Sequence, residues 1–275
     1  MSAPGSLRGA IGGEAIKMSR RPAVYSLTLI LLAALVVLIY LVQWFIRAEP
    51  KESFYPANMV RQALSVTPVL GGALALVLGA LAVGSEYNWG TFKMPLTQRP
   101  ARGQVFLAKA IVLALTLAVL AVLNLAAAAA VSVVLALVAH HPLRFPAASQ
   151  VLASAGVCWL IWNWYAAFGG FLGYLFRQSA LAIGVGLAYV LVIESLIFGI
   201  LGRAGTGKPG SLLMTVEKFF PGPNAQALVQ SFGSPAPGEL VKPLVGPAQA
   251  SLVLAGYFLV ALIFAASVLR RRDIT

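Results

Sequence analysis

Six apolar segments run through this chain of 275 residues, and each is long enough to cross a bilayer as a helix. The core of a bilayer needs about 20 mostly apolar residues per helix. The third segment is longer than that, so we expect it to tilt or to continue as a helix beyond the bilayer. The segments are residues 23–46, 66–83, 106–139, 151–176, 181–201 and 248–269. The sequence therefore predicts an all-α integral membrane protein with six transmembrane helices.

Composition excludes the common classes of soluble protein. The chain is 60% hydrophobic and 10% charged, whereas soluble domains average about 45–50% apolar and about 25% charged residues. An ordinary cytosolic enzyme, a secreted disulfide scaffold and a disordered chain are all incompatible with these values. Cys158 is the single cysteine, so no intramolecular disulfide forms, and the usual metal-ligand spacings are absent.

The distribution of basic residues predicts the orientation. Lys and Arg number 20 against 8 Asp and Glu, an excess that membrane proteins place in their cytoplasmic loops. We therefore expect no nucleic-acid partner. With the N-terminus inside, 12 basic residues fall on the inner side and 8 on the outer side. The pair Arg20-Arg21 and the run Arg270-Arg271-Arg272 flank the first and last spans on the inner side. An N-in, C-in topology follows.

Four polar regions lie outside the spans, and the last of them is the short tail at residues 270–275. Residues 1–22 carry Leu7, Ile11, Ala15 and Met18 at helical spacing, which predicts a short amphipathic helix on the inner surface. Residues 84–105 form the main inner loop. Residues 202–247 form the largest outer loop, in which residues 216–223 and 225–232 look amphipathic and suited to re-enter the membrane.

Two sequence motifs suggest a binding site but have simpler structural explanations. Residues 202–208 resemble the start of a phosphate-binding loop, but Pro209 stands where a hydroxyl residue is needed for magnesium. His140 and His141 are adjacent and cannot share one helix face, and no acid or cysteine lies nearby in sequence. We interpret them as an interfacial polar pair. No catalytic constellation is present, so we expect no enzyme, no metal and no bound cofactor in this chain.

Polar and aromatic side chains inside the spans have alternative interpretations. Glu194 is the one acid well inside a span, where a charge is costly and has either a partner or a functional role. Asn124 lies in the middle of the third span and either contributes to a pathway or joins two helices. The aromatic cluster at residues 159–165 is expected to anchor an interface. Gly169 and its neighbours predict close packing of helices.

The inner loop carries the most informative pattern. Gly90 permits a tight turn and Thr91 can cap a following helix. Aromatic rings such as Phe92 suit either a protein partner or the lipid headgroups, and the basic residues suit either as well. From the residues alone, a surface for a partner and an amphipathic interfacial loop are equally supported. The positions involved are Glu86, Gly90, Thr91, Phe92, Arg99, Arg102 and Lys109.

These positions resemble the loop signature of ABC type-2 permeases, the membrane subunits of ATP-driven exporters. The resemblance rests on Glu86-x-x-x-Gly90-Thr91, then Arg99-Pro100-x-Arg102, then Lys109 at the start of the third span. Glu14-x-x-Lys17 and Arg20-Arg21-Pro22 before the first span agree with it. The resemblance covers essentially the whole chain, residues 1–275, as a single permease domain. Met94-Pro95 departs from the leucines usual in the family's coupling helix, which a proline would interrupt.

The resemblance implies a function and partners. The loop would contain a coupling helix that docks on a separate ATP-binding subunit, present in two copies and holding ATP and Mg²⁺. A second permease subunit, identical or different, would complete the transporter. For the amphipathic stretch of the outer loop, residues 216–232, a lid over the dimer and a substrate gate are equally supported. The abundance of alanine suggests a bacterial cytoplasmic membrane. The alternative is a stand-alone ion-coupled transporter, or a structural membrane component, that depends on Glu194 and needs no ATP-binding partner.

Overall fold

Helices make up most of the fold in the ranges that the structure describes. The computed structural model describes residues 7–46, 51–88, 102–193, 216–233 and 245–271. We number its helices α1 (Leu7–Ser19), α2 (Pro22–Ile46), α3 (Met59–Ser65), α4 (Gly72–Asn88), α5 (Arg102–Val138), α6 (Ala148–Phe176), α7 (Ser179–Ile193), α8 (Pro221–Gln230) and α9 (Pro247–Arg271). No strand occurs in these ranges. The prediction of an all-α membrane protein is confirmed.

Five of the predicted spans coincide with helical stretches long and apolar enough to cross a membrane. They are Pro22–Ile46, Thr67–Tyr87, Gly103–Val138, Ala148–Phe176 and Pro247–Leu269. The predicted fifth span, residues 181–201, is described only through α7, which is apolar but shorter. The count of six spans therefore stays a prediction.

Local sequence signals set several helix ends. Pro22 and Pro221 open α2 and α8, because a proline at the first helical position loses no hydrogen bond. At the C-terminal end of α5, His140 adopts a left-handed conformation with φ of 53°. The His141 N–H then donates to the Ala136 carbonyl at 2.8 Å, which completes a Schellman-type end. Arg177 ends α6 in the same conformation, with φ of 54°.

Helices α4 and α6 pack closely against each other through glycine. A methyl group on Gly79 of α4 would overlap the Ala166 carbonyl, and one on Gly169 of α6 would overlap the Leu76 carbonyl. The absence of side chains at both positions lets the two backbones approach closely, as small residues do between membrane helices. The close packing predicted around Gly169 is confirmed.

Trp159 in the aromatic cluster of α6 is 38% exposed, but Trp162 and Tyr165 are buried, so the predicted role as an interfacial anchor is wrong for these two. Their exposed fractions are 1% and 2%. The indole Nε1 of Trp162 donates to the Thr67 carbonyl at 3.2 Å. Side chains on Gly71 or Gly72 would collide with the rings of Trp162 and Tyr165, respectively. The two glycines on the facing segment make room for the rings inside the bundle.

The bundle end opposite α1 is covered by short elements. The 3₁₀ helix Lys51–Phe54 and helix α3 bury Phe54 and Leu64 completely. Helix α8, inside the predicted outer loop, packs on α9 and buries Leu228. The ring of His141 stacks on Tyr55 with centroids 4.1 Å apart. These contacts fix the end of α5 to the segment that precedes α3.

The first helix forms where expected but buries a different face. Sequence periodicity predicted Leu7, Ile11, Ala15 and Met18 as its packed positions. In the structure Met18 is buried and Ile11 half-buried, whereas Leu7 and Ala15 are exposed, and Glu14 is buried in their place. The reason is that α1 packs across α5 beside Lys109, so an acidic side chain gains more from this contact than alanine would.

Candidate functional site

Two of the residues singled out in the inner loop meet at one end of the bundle. Glu86 lies in the last turn of α4, and Lys109 lies two turns into α5. The Lys109 ammonium donates to Glu86 Oε1 at 2.9 Å, to Glu14 Oε2 at 2.8 Å and to the Ala82 carbonyl at 3.0 Å. An ammonium has three N–H donors, so all three are in use. Lys109 thus joins α1, α4 and α5 through one atom.

Lys17 and Arg21 add two further cations around the carboxylates of Glu14 and Glu86. The Lys17 ammonium donates to Glu14 Oε1 at 2.7 Å and to Glu86 Oε1 at 3.3 Å. The Arg21 Nη2 atom lies 3.9 Å from Glu86 Oε1, and Nη1 donates to the Leu81 carbonyl at 2.6 Å. We call the five side chains Glu14, Lys17, Arg21, Glu86 and Lys109 the ion cluster.

The centre of the ion cluster is buried. The exposed fractions of Glu14, Glu86 and Lys109 are 8%, 4% and 5%. Charges removed from water are tolerated when they are paired and hydrogen-bonded, and removing one partner of such a pair is strongly destabilising. The cluster is therefore costly to pull apart, and it holds the three helices together at this end.

Charged partners shift the pKa values of Glu14 and Lys17, the two residues that α1 contributes to the ion cluster. Burial alone would raise the pKa of the Glu14 carboxyl, but the charge of Lys109 and the hydrogen bonds from Lys109 and Lys17 lower that pKa below its ordinary value. Burial alone would lower the pKa of the Lys17 ammonium, but the hydrogen bond to Glu14 and the charge of Glu86 raise that pKa. Both shifts favour the charged forms, so neutral pH keeps α1 docked.

The structure brings together part of the predicted site. Glu86 and Lys109 are in direct contact, whereas Arg102 is the first residue of α5. Gly90, Thr91, Phe92, Arg99 and the Met94-Pro95 pair lie outside the described residues, as does the phosphate-loop-like stretch at 202–208. The backbone of the predicted loop, residues 84–105, is helical up to Asn88 and again from Arg102.

Sequence reasoning did not place Glu14, Lys17 and Arg21 in the site. One local signal was available for the first two, since Glu14 and Lys17 are spaced as neighbours on one helix face. Their contacts with Glu86 and Lys109 depend on how α1 lies across the bundle. That packing has no local sequence signal, because 95 residues separate Glu14 from Lys109.

Of the two polar candidates predicted inside the spans, Asn124 and Glu194, the structure describes Asn124. Asn124 is completely buried, and its Nδ2 donates to the Ala63 carbonyl at 2.9 Å. This bond joins α5 to α3, which is the helix-joining role that sequence allowed for Asn124. Glu194 lies outside the described residues. Among the residues that the structure describes, no three His, Cys, Asp or Glu side chains gather as a metal site would require.

A comparison with protein families gives one match. A family model described as an ABC-2 family transporter protein covers residues 10–193, more than half of the chain. The matched region contains all five members of the ion cluster and the helices that hold them. Among curated proteins, no relative matches this sequence.

Proposed function

Because the chain belongs to the ABC-2 family of transporter membrane proteins, we propose that it is the permease subunit of an ATP-driven exporter. As a member of this family it is a multi-pass membrane component of a transporter. Two copies of a separate ATP-binding subunit would bind ATP and Mg²⁺ and supply the energy. A second permease, identical or different, would complete the transporter in a bacterial cytoplasmic membrane.

The observation that supports coupling is the contact between Glu86 and Lys109. Residues 89–101, which include the Gly90-Thr91 motif, connect α4 to α5 between these two side chains. A partner that docks on this segment and moves it would act on both helix ends at once. The buried ion cluster resists separation of the two ends, so α1, α4 and α5 would respond together.

The first test is affinity purification of the tagged chain from its native membrane in mild detergent. We expect an ATP-binding subunit to co-purify in stoichiometric amount and the eluate to hydrolyse ATP. Gly90→Pro would disrupt the turn that the sequence predicts at this position and reduce the amount of bound partner. Glu86→Gln would leave the partner bound but reduce transport relative to ATP hydrolysis.

Glu52→Gln provides a matched control, since it makes the same change of charge at an exposed residue on the predicted outer side. We expect it to match the unmodified chain in partner binding, ATPase activity and transport. A chain that purifies alone in several mild detergents, without ATPase activity, would contradict the proposal. Proton or sodium flux in liposomes that is abolished by Glu194→Gln would then support the ion-coupled alternative.

A further inference from the structure

A seam along α4 and α5, bordered first by α1 and then by α2, combines a polar end with an apolar interior. Its polar end is a shallow recess at the ion cluster, and the charged side chains that line it are Glu14, Lys17, Arg21 and Lys109. Deeper along α4 and α5, where α2 replaces α1, lies a narrow cleft lined by side chains that include Thr28, Leu78 and Leu117. Both spaces are open to the surface of the bundle.

The recess and the cleft follow one another along the helix axes. From Arg21 to Thr28 the rise along α2 is about 10 Å. On the apolar side of the recess, Met18, Ala82 and Val112 form a buried apolar cluster. The surface of the seam therefore changes from charged to apolar in the direction in which a lipid changes from headgroup to acyl chain.

Spare hydrogen-bond donors are concentrated at the polar end. Lys109 uses all three of its donors, but Lys17 directs only two toward carboxylates and its side chain is 46% exposed. Arg21 has five N–H donors, of which one reaches the Leu81 carbonyl. Its Nη2 atom, at 3.9 Å from Glu86, is too distant for a hydrogen bond. Donors on both cations thus remain for a further acceptor.

The net charge of the ion cluster favours an anion. Among the five side chains of the ion cluster, three are cations and two are carboxylates, so the cations outnumber the acids by one. The cluster lies at the end of the bundle that the distribution of basic residues predicts to be cytoplasmic. Basic pockets between membrane helices on that side suit anionic headgroups.

We propose that this seam binds an anionic phospholipid. The phosphate accepts hydrogen bonds from Arg21 and Lys17, and one acyl chain follows α2 past the apolar cluster toward the cleft beside Thr28. A free phosphate would satisfy the donors but leave the cleft unused. The site belongs to the permease alone, so its test does not depend on an ATP-binding partner or on transport.

The headgroup is tested by native mass spectrometry of the purified, delipidated full chain with added phosphatidylglycerol or phosphatidylcholine. We expect phosphatidylglycerol to bind at least about tenfold more tightly, which corresponds to one charge-assisted hydrogen bond. Arg21→Gln removes most of this preference. Arg20→Gln is the matched control, because Arg20 is the adjacent residue, is exposed and carries the same charge.

The acyl chain is tested with a second matched pair on α2. Thr28→Trp fills the cleft and weakens phosphatidylglycerol binding by about tenfold. Ser26→Trp introduces the same ring at an exposed position of the same helix and leaves binding unchanged. Arg21→Lys, which keeps the positive charge, retains the preference for phosphatidylglycerol and shows that the loss in Arg21→Gln is not caused by unfolding.

Three results would overturn the proposal. Equal effects of Arg20→Gln and Arg21→Gln would mean that the surface charge alone attracts the lipid. Equal effects of the two tryptophan variants would mean that no acyl chain enters the seam. Displacement of the lipid by millimolar glycerol phosphate would mean that the cluster is an anion site without a role for the chain.

Discussion

Glu86 and Lys109 are separated by 23 positions in sequence, and their side chains meet at 2.9 Å inside the protein. The residues between them include the motif that resembles a docking segment for an ATP-binding subunit. The contact fixes α4 to α5 on either side of this segment. Lys109 also binds Glu14 at 2.8 Å, so the contact includes the N-terminal helix.

Replacing Lys109 with methionine is expected to destabilise the protein strongly. The variant keeps an unbranched side chain, one atom shorter, but leaves the buried carboxylates of Glu14 and Glu86 without their shared ammonium, at a cost of about 3–5 kcal/mol. Lys17→Met should cost less than about 1 kcal/mol, because the Lys17 side chain is 46% exposed. Chemical unfolding in mixed micelles measures both. Similar losses in the two variants would contradict the buried position of Lys109.

Two glycines of α6 should respond to alanine in opposite ways. Gly169→Ala places a methyl group against the Leu76 carbonyl and should cost about 1–3 kcal/mol through overpacking. Gly156→Ala meets no atom within 4 Å and should be neutral or stabilising by up to about 1 kcal/mol, because alanine favours helix over glycine. Thermal unfolding in detergent compares the pair. A stable Gly169→Ala variant would argue against the close approach of α4 and α6.

Docking of α1 should depend on pH at both extremes. The lowered pKa of Glu14 contributes stability that is present above its ordinary pKa of 4.5 and is lost as the pH falls through the lowered value. The raised pKa of Lys17 contributes stability that is present below its ordinary pKa of 10.5 and is lost as the pH rises through the raised value. We expect α1 to stay docked between about pH 5 and about pH 10.

Spin labels at two exposed positions, Ala15→Cys on α1 and Leu107→Cys on α5, measure this docking in a Cys158→Ala background. The distance between the labels should be constant across the neutral range and should broaden outside it. Adding Glu14→Gln should remove the acid response. A distance that changes between pH 6 and pH 8 would show that another group controls the position of α1.

Loss of the Asn124 side chain should affect stability and spare transport. Asn124→Leu removes the bond to the Ala63 carbonyl that joins α5 to α3 and should cost about 1 kcal/mol. Thr116→Val is the control, because the Thr116 hydroxyl donates only within its own helix, to the Val112 carbonyl at 2.8 Å. A variant of Asn124 that keeps its stability but loses transport would place this residue in a substrate pathway.

The spans were predictable because hydropathy is a local property of about 20 residues. The first span was expected at residues 23–46 and is found at Pro22–Ile46. The packed face of α1 was not predictable in the same way. The helical spacing of apolar residues favoured Ala15, whereas the buried residue is Glu14. Glu14 is buried because the facing helix supplies Lys109 as its partner. A buried acid is stable only with a partner, and nothing in the local sequence identifies a partner 95 residues away.

The same reasoning applies to the aromatic residues of α6. Tryptophan in a membrane span usually marks an interface, yet Trp162 is 1% exposed. Its burial depends on Gly71 of the neighbouring segment and on the Thr67 carbonyl that accepts its N–H. Both partners were visible in the sequence, but their register against α6 is a property of the packed helices.

The length of α5 has a consequence for how the two ends of the bundle communicate. Its 37 residues form an α-helix without a break, about 55 Å long, with Lys109 near one end and the stacked ring of His141 just beyond the other. A rod of this length that tilts by about 5° about its centre displaces each end by about 2 Å. A change at the ion cluster therefore reaches the opposite surface as a rigid displacement, and no helix needs to unfold or refold along the way.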